Sequence, residues 1–490
     1  MFMPDNTKFQ VVKNPNLAAE RTDNNRLDMD GRLNSFQEVE YTYTKEQAEN
    51  EMARCLKCPT HWCQKKCPAG VPVTDFIAKA RSGDCEGAYR LIRSASTLPE
   101  FCSRLCPQEK QCQSECTRSI RTQAVGIGRL ERYVVEQHYA SGAAEVSAPA
   151  TGKKVAVVGS GPSGLSAAQR LTDQGHSVTV YERSDRPGGL LEYGIPNTKL
   201  EKGVLDRKIS SLKQQGVEFR TGVNVGREVS AEELLKEYDA VVLAVGTGNA
   251  RSLKLEGAEG VKGIYPAVEY LSSFTKSLLN SDLKDGTAIS PKGKDVIIVG
   301  GGDTGSDCVG TSIRGGCASL TQIEMLPQKT GRVYIHDPYI RRQPEVKHDS
   351  SMEECQTVFG KDPHLYQTTL KAVQADEKGN LKSVTAVSLE PVYDEHFRLT
   401  MKEIPGTEKT LPCQLLIVAA GFLGPQSYVA EAFGVDTTSR SNFSTAEYAT
   451  GRDRVFACGD CRTGQSLVVK AMADGRDCAD AVDRYLKKQG

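Results

Sequence analysis

The chain has 490 residues, 39% of them hydrophobic and 25% charged, with 62 basic residues balanced by 62 acidic ones. That length asks for about three domains rather than one core. The zero formal charge gives no footing for nucleic acid or an anionic membrane surface, and no apolar run approaches the roughly 18 residues of a membrane span.

The opening MFMPDNTKFQ has no apolar signal core, so the sequence predicts no export and a reducing, cytoplasmic setting. The first forty residues are polar and irregular, suited to draping over a domain or awaiting a partner. From Thr44 to about Val135 the pattern is short and helical, with Asp75–Ala80 and Cys85–Ser94 read as helices. Nine of the sixteen cysteines crowd between Cys55 and Cys116, and none lies between there and Cys308. In a reducing compartment such crowding is not a disulfide framework, so it needs another chemistry.

The crowd has two runs. Cys55, Cys58, Cys63 and Cys67 read C-x2-C-x4-C-x3-C-P, and Cys102, Cys106, Cys112 and Cys116 read C-x3-C-P-x4-C-x3-C. Soft thiolates at these spacings converge on an iron–sulfur cubane, and in two-cluster ferredoxins the fourth cysteine of a run serves the other cluster. Zinc ribbons pair two C-x2-C knuckles across a longer loop, whereas only one C-x2-C occurs in these two runs, so the spacing favours iron–sulfur over zinc. Cys85 stands apart and is read as a buried apolar residue.

Ala140–Gly152 is small and polar and is read as a linker. The texture then changes. Lys154–Gly159 is a short buried strand, followed by GSGPSG (Gly159, Gly161, Pro162, Ser163, Gly164) and a helix over Leu165–Gln174. One glycine makes the tight turn, one lets backbone N–H groups reach a pyrophosphate, and one lets helix and strand pack closely. The helix N-terminus adds partial positive charge. A second strand, Ser177–Tyr181, leads to Glu182, where an acid binds a ribose hydroxyl. The stretch Arg183–Pro196 follows. Its pair Gly188–Gly189 brings backbone near a large cofactor, and with Arg183, Gly189 and Leu190 it resembles the R-x-x-x-x-GG-x-L-x-x-G-I-P stretch of disulfide-reductase-like FAD proteins.

Two more buried strands end in glycine, Asp239–Gly246 and Leu415–Gly421. Between them the strand–glycine–helix unit returns. Lys294–Val299 precedes GGGDTG (Gly300, Gly302, Asp303, Thr304, Gly305), a helix to about Arg314 and a strand over Ser319–Glu324. Two nucleotide loops in one chain predict a relay in which a nicotinamide on the second loop passes hydride to a flavin on the first. Glu324 at the strand end favours NADH, while Arg314 at the helix end offers a partner for the 2′-phosphate of NADPH, and the sequence leaves both open. The chain closes with the strand Arg454–Asp460, then RTGQSLV and a final amphipathic helix through Tyr485. Asp460, after Gly459, is read either as a helix cap or as an acceptor for a ribityl hydroxyl, with backbone at Gln465, Ser466 and Leu467 meeting flavin carbonyls. The pair Cys458/Cys461 is read as packing.

Taken together, the cysteine domain, GSGPSG, RPGGLLEYGIP, GGGDTGSDC and ACGD-x-x-x-GQSLV resemble the small subunit of glutamate synthase over nearly the full chain from about Tyr41. The N-terminal half of dihydropyrimidine dehydrogenase and the large subunit of the ferredoxin-dependent NADH:NADP transhydrogenase carry the same module. The resemblance implies an α/β fold with two Rossmann-like domains, for FAD and NADPH, behind an α-helical domain with two [4Fe–4S] clusters. It implies domains at 1–150, 151–268, 269–423 and 424–490, the last completing the FAD domain. It also implies that Cys55, Cys58, Cys63 and Cys116 hold one cluster and Cys67, Cys106, Cys112 and Glu131 the other, with Cys102 spare. From the residues alone, Glu131 reads as a solvated helix face. No residue is assigned a catalytic role, since the cofactors exchange the hydride. The implied partner is a large, FMN-containing subunit of glutamine amidotransferase type. The alternative is a related transhydrogenase or sulfide dehydrogenase subunit with another acceptor.

Overall fold

The structure, a computed structural model, describes residues 16–328 and 349–489 apart from 19, 144, 146, 147 and 397. The first ten residues, read above for a signal core, lie outside these. Among the described residues no helix is long and apolar enough to cross a membrane.

Helices at Lys45–Met52, Val73–Arg81, Cys85–Ala95, Pro99–Leu105 and Ile127–Ser141 form the N-terminal unit. Their starts are written locally. Thr44 and Gln47 make a reciprocal capping box, and Asp84 Oδ1 accepts from Gly87 N at 2.7 Å. The last helix runs to Ser141, into the stretch expected as linker, and stops at Gly142 with φ 68°. A C-terminal glycine in this left-handed region ends helices at little steric cost.

The strands β1 (Lys154–Val158), β2 (Ser177–Glu182), β3 (Glu218–Thr221) and β4 (Ala240–Leu243) follow. They are parallel, with β1 between β2 and β4 and β3 outside β2. Both faces of such a sheet are covered, which is why β1 and β4 read as unbroken apolar runs. A second parallel unit takes β5 (Ile264–Pro266), β6 (Asp295–Val299), β7 (Ser319–Ile323) and β8 (His364–Leu365). An antiparallel sheet, not foreseen from sequence, comes from β9 (Thr368–Ala375), β10 (Leu381–Tyr393), β11 (Leu399–Glu403) and β12 (Lys409–Pro412).

The chain then returns to both parallel sheets. β13 (Leu415–Val418) inserts between β5 and β6, and β14 (Val455–Ala457) adds to the edge beside β4. β5 lies ahead of the domain limit drawn at 268 and is already hydrogen-bonded to β13. The closing helix Val468–Gln489 packs on the helix after the first glycine loop, where Ser166 Oγ donates to Met472 O at 2.6 Å.

Before Thr44, Arg32 and Val39 bridge the chain to both nucleotide units. Val39 N donates to Thr198 O at 2.8 Å in the first, and Arg32 NH1 pairs with Glu353 Oε2 at 2.6 Å in the second. The helical unit is joined to the first sheet's helix Lys202–Gln214 by charge. Glu136 accepts from Arg104 of its own unit and from Arg207 across the joint, and Glu100 faces Lys208 at 3.6 Å with both side chains fully buried.

Candidate functional site

The first glycine loop is built for close packing on one side and left open on the other. Gly159 has φ +103°, and a Cβ there would overlap Ala244 O. A Cβ on Gly164 would overlap Gly159 O, so this glycine seats the helix Pro162–Asp173 on β1. Gly161 has nothing within 4 Å of a Cβ, and it is where the loop faces the cleft. Ser160, passed over in the sequence reading, ties the loop together. Its Oγ donates to Glu182 Oε2 and accepts from Gly188 N at 2.8 Å, while Glu182 Oε2 also accepts from Ser160 N at 3.1 Å. Glu182, expected on a ribose hydroxyl, is therefore engaged with the loop itself.

Gly189 presses on Gly161, a Cβ there lying 3.0 Å from Gly161 Cα, which brings the RPGGL stretch onto the loop. Arg183 NH1 donates to Gln426 Oε1 at 2.8 Å. The turn beyond is held by Lys202, whose Nζ donates to Leu191 O, Ile195 O and Leu200 O at 2.9, 2.7 and 3.1 Å. No local pattern marks this lysine in the sequence, because its partners are backbone carbonyls of a loop that only the fold gathers. Gly246, φ +65°, borders the same space beyond β4.

At the chain's end Gly459 has φ +75°, and a Cβ there would overlap Ser163 Oγ. Asp460 opens the short helix Asp460–Thr463, and its Oδ1 accepts from Ser466 Oγ at 2.7 Å. Burial raises the Asp460 carboxyl above its ordinary range. Gln465 Oε1 accepts from Phe422 N at 3.1 Å, linking this corner to the second unit. Cys458 and Cys461 are fully buried, as the packing reading expects.

The second loop repeats the design. A Cβ on Gly300 would meet Ala419 O at 2.5 Å, one on Gly305 would overlap Gly300 O, and Gly302 is open. Asp303 and Thr304 begin the helix Asp303–Arg314 and line the cleft. Arg314 does not. Its NH1 and NH2 donate to Glu354 Oε2 and Oε1 at 2.6 and 2.9 Å, and its Nε donates to Ser35 O at 3.2 Å. The pair is buried, and Arg314 is not among the residues that line the cleft. Both loops, Glu182, Leu190, Glu324, Asp460 and Gln465–Leu467 share one cleft of about 2560 Å³. That exceeds the roughly 300–1,000 Å³ of a single ligand pocket and suits two dinucleotides meeting end to end.

The thiols sort into two sets. Glu51 and Arg54, a fully buried pair at 2.8 Å, clamp the first run to the chain after the second: Gly126 N donates to Glu51 Oε1 at 2.8 Å and Arg54 NH2 to Gln123 O at 2.7 Å. Cys58 Sγ lies 3.3 Å from Thr117 Oγ1, beside Cys116. Burial pushes the Cys55 thiol up to about 11 and Cys63 up to about 12, with Cys116, Cys58 and, for Cys63, Cys55 adding to the rise. Cys55, Cys58, Cys63 and Cys116 line one small opening. In the other set, contact with Cys102 and then burial raise Cys106, and burial raises Cys67 and Cys112. Glu131 adds to the rise in all three. Burial pushes Glu131 itself up to about 8, and its Oε1 is buried without a hydrogen bond. Among the described residues no group of three such donors lies at the spacing of a single metal ion. Cys85 is half-buried rather than in the core.

A doubly wound pair of dinucleotide loops behind a cysteine-rich helical unit defines a flavin-type oxidoreductase fed by a nicotinamide nucleotide. Residues 32–143 match the model for dihydropyrimidine dehydrogenase domain II, 4Fe–4S cluster, and residues 153–475 that for pyridine nucleotide-disulphide oxidoreductase. The chain is 40% identical to the glutamate synthase [NADPH] small chain of Bacillus subtilis, over 93% of this chain and 94% of that one. It is 33% identical to the Escherichia coli small chain, over 92% and 94%. Glutamate synthase [NADH] of Schizosaccharomyces pombe is 40% identical over 94% of this chain, which spans 22% of that protein. Among solved structures, Mycobacterium tuberculosis FprA in complex with NADPH shares the fold, with a TM-score of 0.54 and 18% identity over 70% of this chain and 85% of that one. The chain belongs to the glutamate synthase small-chain family and is an NAD(P)H-dependent flavin and iron–sulfur oxidoreductase.

Proposed function

We propose that the chain is the electron-input subunit of glutamate synthase, with two [4Fe–4S] clusters on Cys55, Cys58, Cys63, Cys116 and on Cys67, Cys106, Cys112, Glu131. A flavin held there would supply two-electron hydride acceptance and one-electron release toward the clusters. The residues of the chain do the positioning. The open backbone at Gly161 and the N-terminus of the helix Pro162–Asp173 offer donors to a pyrophosphate. Lys202 fixes the turn beyond the Gly188–Gly189 pair, and Asp460 with Gln465–Leu467 closes the far wall. Gly302 and the helix after it offer the same donors to the nicotinamide nucleotide. Holding both in one cleft supplies the orientation hydride transfer requires, and no acid–base side chain is called for.

The observation that supports this reading is Glu131 Oε1, buried without a hydrogen bond close to Cys67, Cys106 and Cys112, while Cys55, Cys58, Cys63 and Cys116 line a small opening of their own. The family supports the destination: a larger, FMN-containing chain that draws ammonia from glutamine. Anaerobic purification with metal and flavin analysis tests it. About eight irons and one FAD per chain are expected, two cubanes and one flavin, together with co-elution of the large chain. Zinc in place of iron, with no flavin, overturns it.

A further inference from the structure

Cys102 is the one thiol of the two runs that the ligand sets leave over. It lies four residues before Cys106 on the helix Pro99–Leu105, whose last turn closes as Cys106 N donates to Cys102 O at 3.1 Å. Cys106 still has φ −65°, so its side chain leaves the backbone as a helical residue's does. Such side chains lean toward the helix N-terminus, which sets residue i+4 over residue i. The Cys106 sulfur is thereby carried back onto the preceding turn, where it meets the Cys102 thiol. Cys102 is buried, in the same core as Leu98, Phe101 and Leu130. Glu131, on the next helix and close to Cys106, has Oε1 buried without a hydrogen bond, as an iron ligand would be. Of the eight proposed ligands, Cys106 alone borders the nucleotide cleft, so the thiol that Cys102 touches is the one facing the flavin's side.

We propose that Cys102 donates an S–H···S hydrogen bond to the Cys106 thiolate and so sets the reduction potential of the second cluster without binding iron. This rests on the reading that Cys67, Cys106, Cys112 and Glu131 hold that cluster. A liganding thiol surrenders its proton, and a thiol outside the ligand set keeps one to give. Hydrogen bonds to ligand sulfur stabilise the more negative, reduced cluster and raise its potential. The effect falls on one cluster, since Cys55, Cys58, Cys63 and Cys116 line a separate opening that Cys102 does not border. Cys102 is thus a positioning and tuning residue for the electron step nearest the cleft.

The test is an anaerobic redox titration of the purified holoprotein, followed by electron paramagnetic resonance, on Cys102→Ala, Cys102→Ser and, as a control, Cys85→Ala. Alanine and serine are no larger than cysteine, so neither overfills the core, and they differ in the hydroxyl alone. All three variants should keep the iron and flavin of the unaltered protein. In Cys102→Ala the reduction equilibrium of one cluster should fall about three- to tenfold, the scale of one hydrogen bond to a charged acceptor. At about 59 mV per factor of ten for one electron, that is a drop of roughly 30–60 mV. Cys102→Ser, which keeps a donor, should stay closer to the unaltered protein, and Cys85→Ala should leave both clusters where they were. An unshifted potential in Cys102→Ala, an equal shift in Cys102→Ser, or loss of iron from Cys102→Ala, which would make Cys102 a ligand, overturns the inference and leaves the electron-input reading standing. An unaltered protein without iron overturns both together.

Discussion

Glu136 sits where the cluster-bearing helices meet the flavin unit. It lies on the helix that carries Glu131, accepts from Arg104 NH2 at 2.8 Å, and accepts from Arg207 NH1 and NH2 at 2.9 and 2.8 Å. Burial pushes its carboxyl up, but Arg207 and Arg104 together outweigh that and hold it at about 2 instead of 4.5. A carboxyl lowered this far in the fold stabilises it by about 3 kcal/mol at neutral pH. The contribution is complete above pH 4.5 and disappears as pH falls toward 2, because the unfolded chain then binds the proton first. In Glu136→Gln the two arginines are not stranded. Arg104 keeps Glu38 at 3.1 Å, and Arg207 keeps the face of Tyr139 at 3.8 Å. The expected loss is therefore about 2–3 kcal/mol, a sizeable part of the roughly 5–15 kcal/mol that holds a domain folded. Urea unfolding at pH 7, followed by far-ultraviolet circular dichroism, measures it, and the deficit should shrink only below pH 4.5. Flavin content should not change, since no FAD-loop residue is touched. A deficit under about 0.5 kcal/mol at pH 7, the level of an ordinary exposed pair, or one that is constant down to pH 3, would refute this account of the joint.

Gly161→Val should fold normally, because φ is −68° and nothing lies within 4 Å of a Cβ, yet it should lose FAD by filling the space of the pyrophosphate. Flavin content near one per chain in the purified variant rules out that placement. Cys67→Ala should lower iron content while leaving FAD reducible by the nicotinamide nucleotide and slowing reduction of the large chain; unchanged glutamate formation in the reconstituted complex contradicts it. Arg314→Gln strands Glu354, whose side chain is fully buried, at a cost of about 3–5 kcal/mol. Its urea midpoint should fall while the ratio of NAD+ to NADP+ affinity stays where it was, and a shifted ratio would return Arg314 to the nucleotide site.

Local pattern was enough for the parallel elements and for both glycine loops. A doubly covered strand must be apolar throughout, and a turn that passes a strand's end under a helix must lack a Cβ, so β1, β4, β6 and the glycines at 159, 164, 300 and 305 announce themselves. Element ends were less legible. The helix after the first loop begins at Pro162 rather than Leu165, since proline is tolerated in a first turn whose N–H groups lack partners. The antiparallel strands β9–β12 went unread because their exposed faces carry mixed polar residues without a clear alternation.

What the order of residues determined by itself was the chemistry: thiolates for inorganic clusters and bare backbone for two pyrophosphates. What only tertiary structure decided was allocation. Glu131 was one of two acids on an amphipathic helix until packing buried its Oε1 near Cys67, Cys106 and Cys112. Arg314 and Glu324 carried opposite implications for the nucleotide until the fold turned the first inward to Glu354 and the second onto Gly301. Side-chain identity fixes which bonds a group can make, but the group's direction and partners come from contacts tens of residues apart, and no local pattern records them.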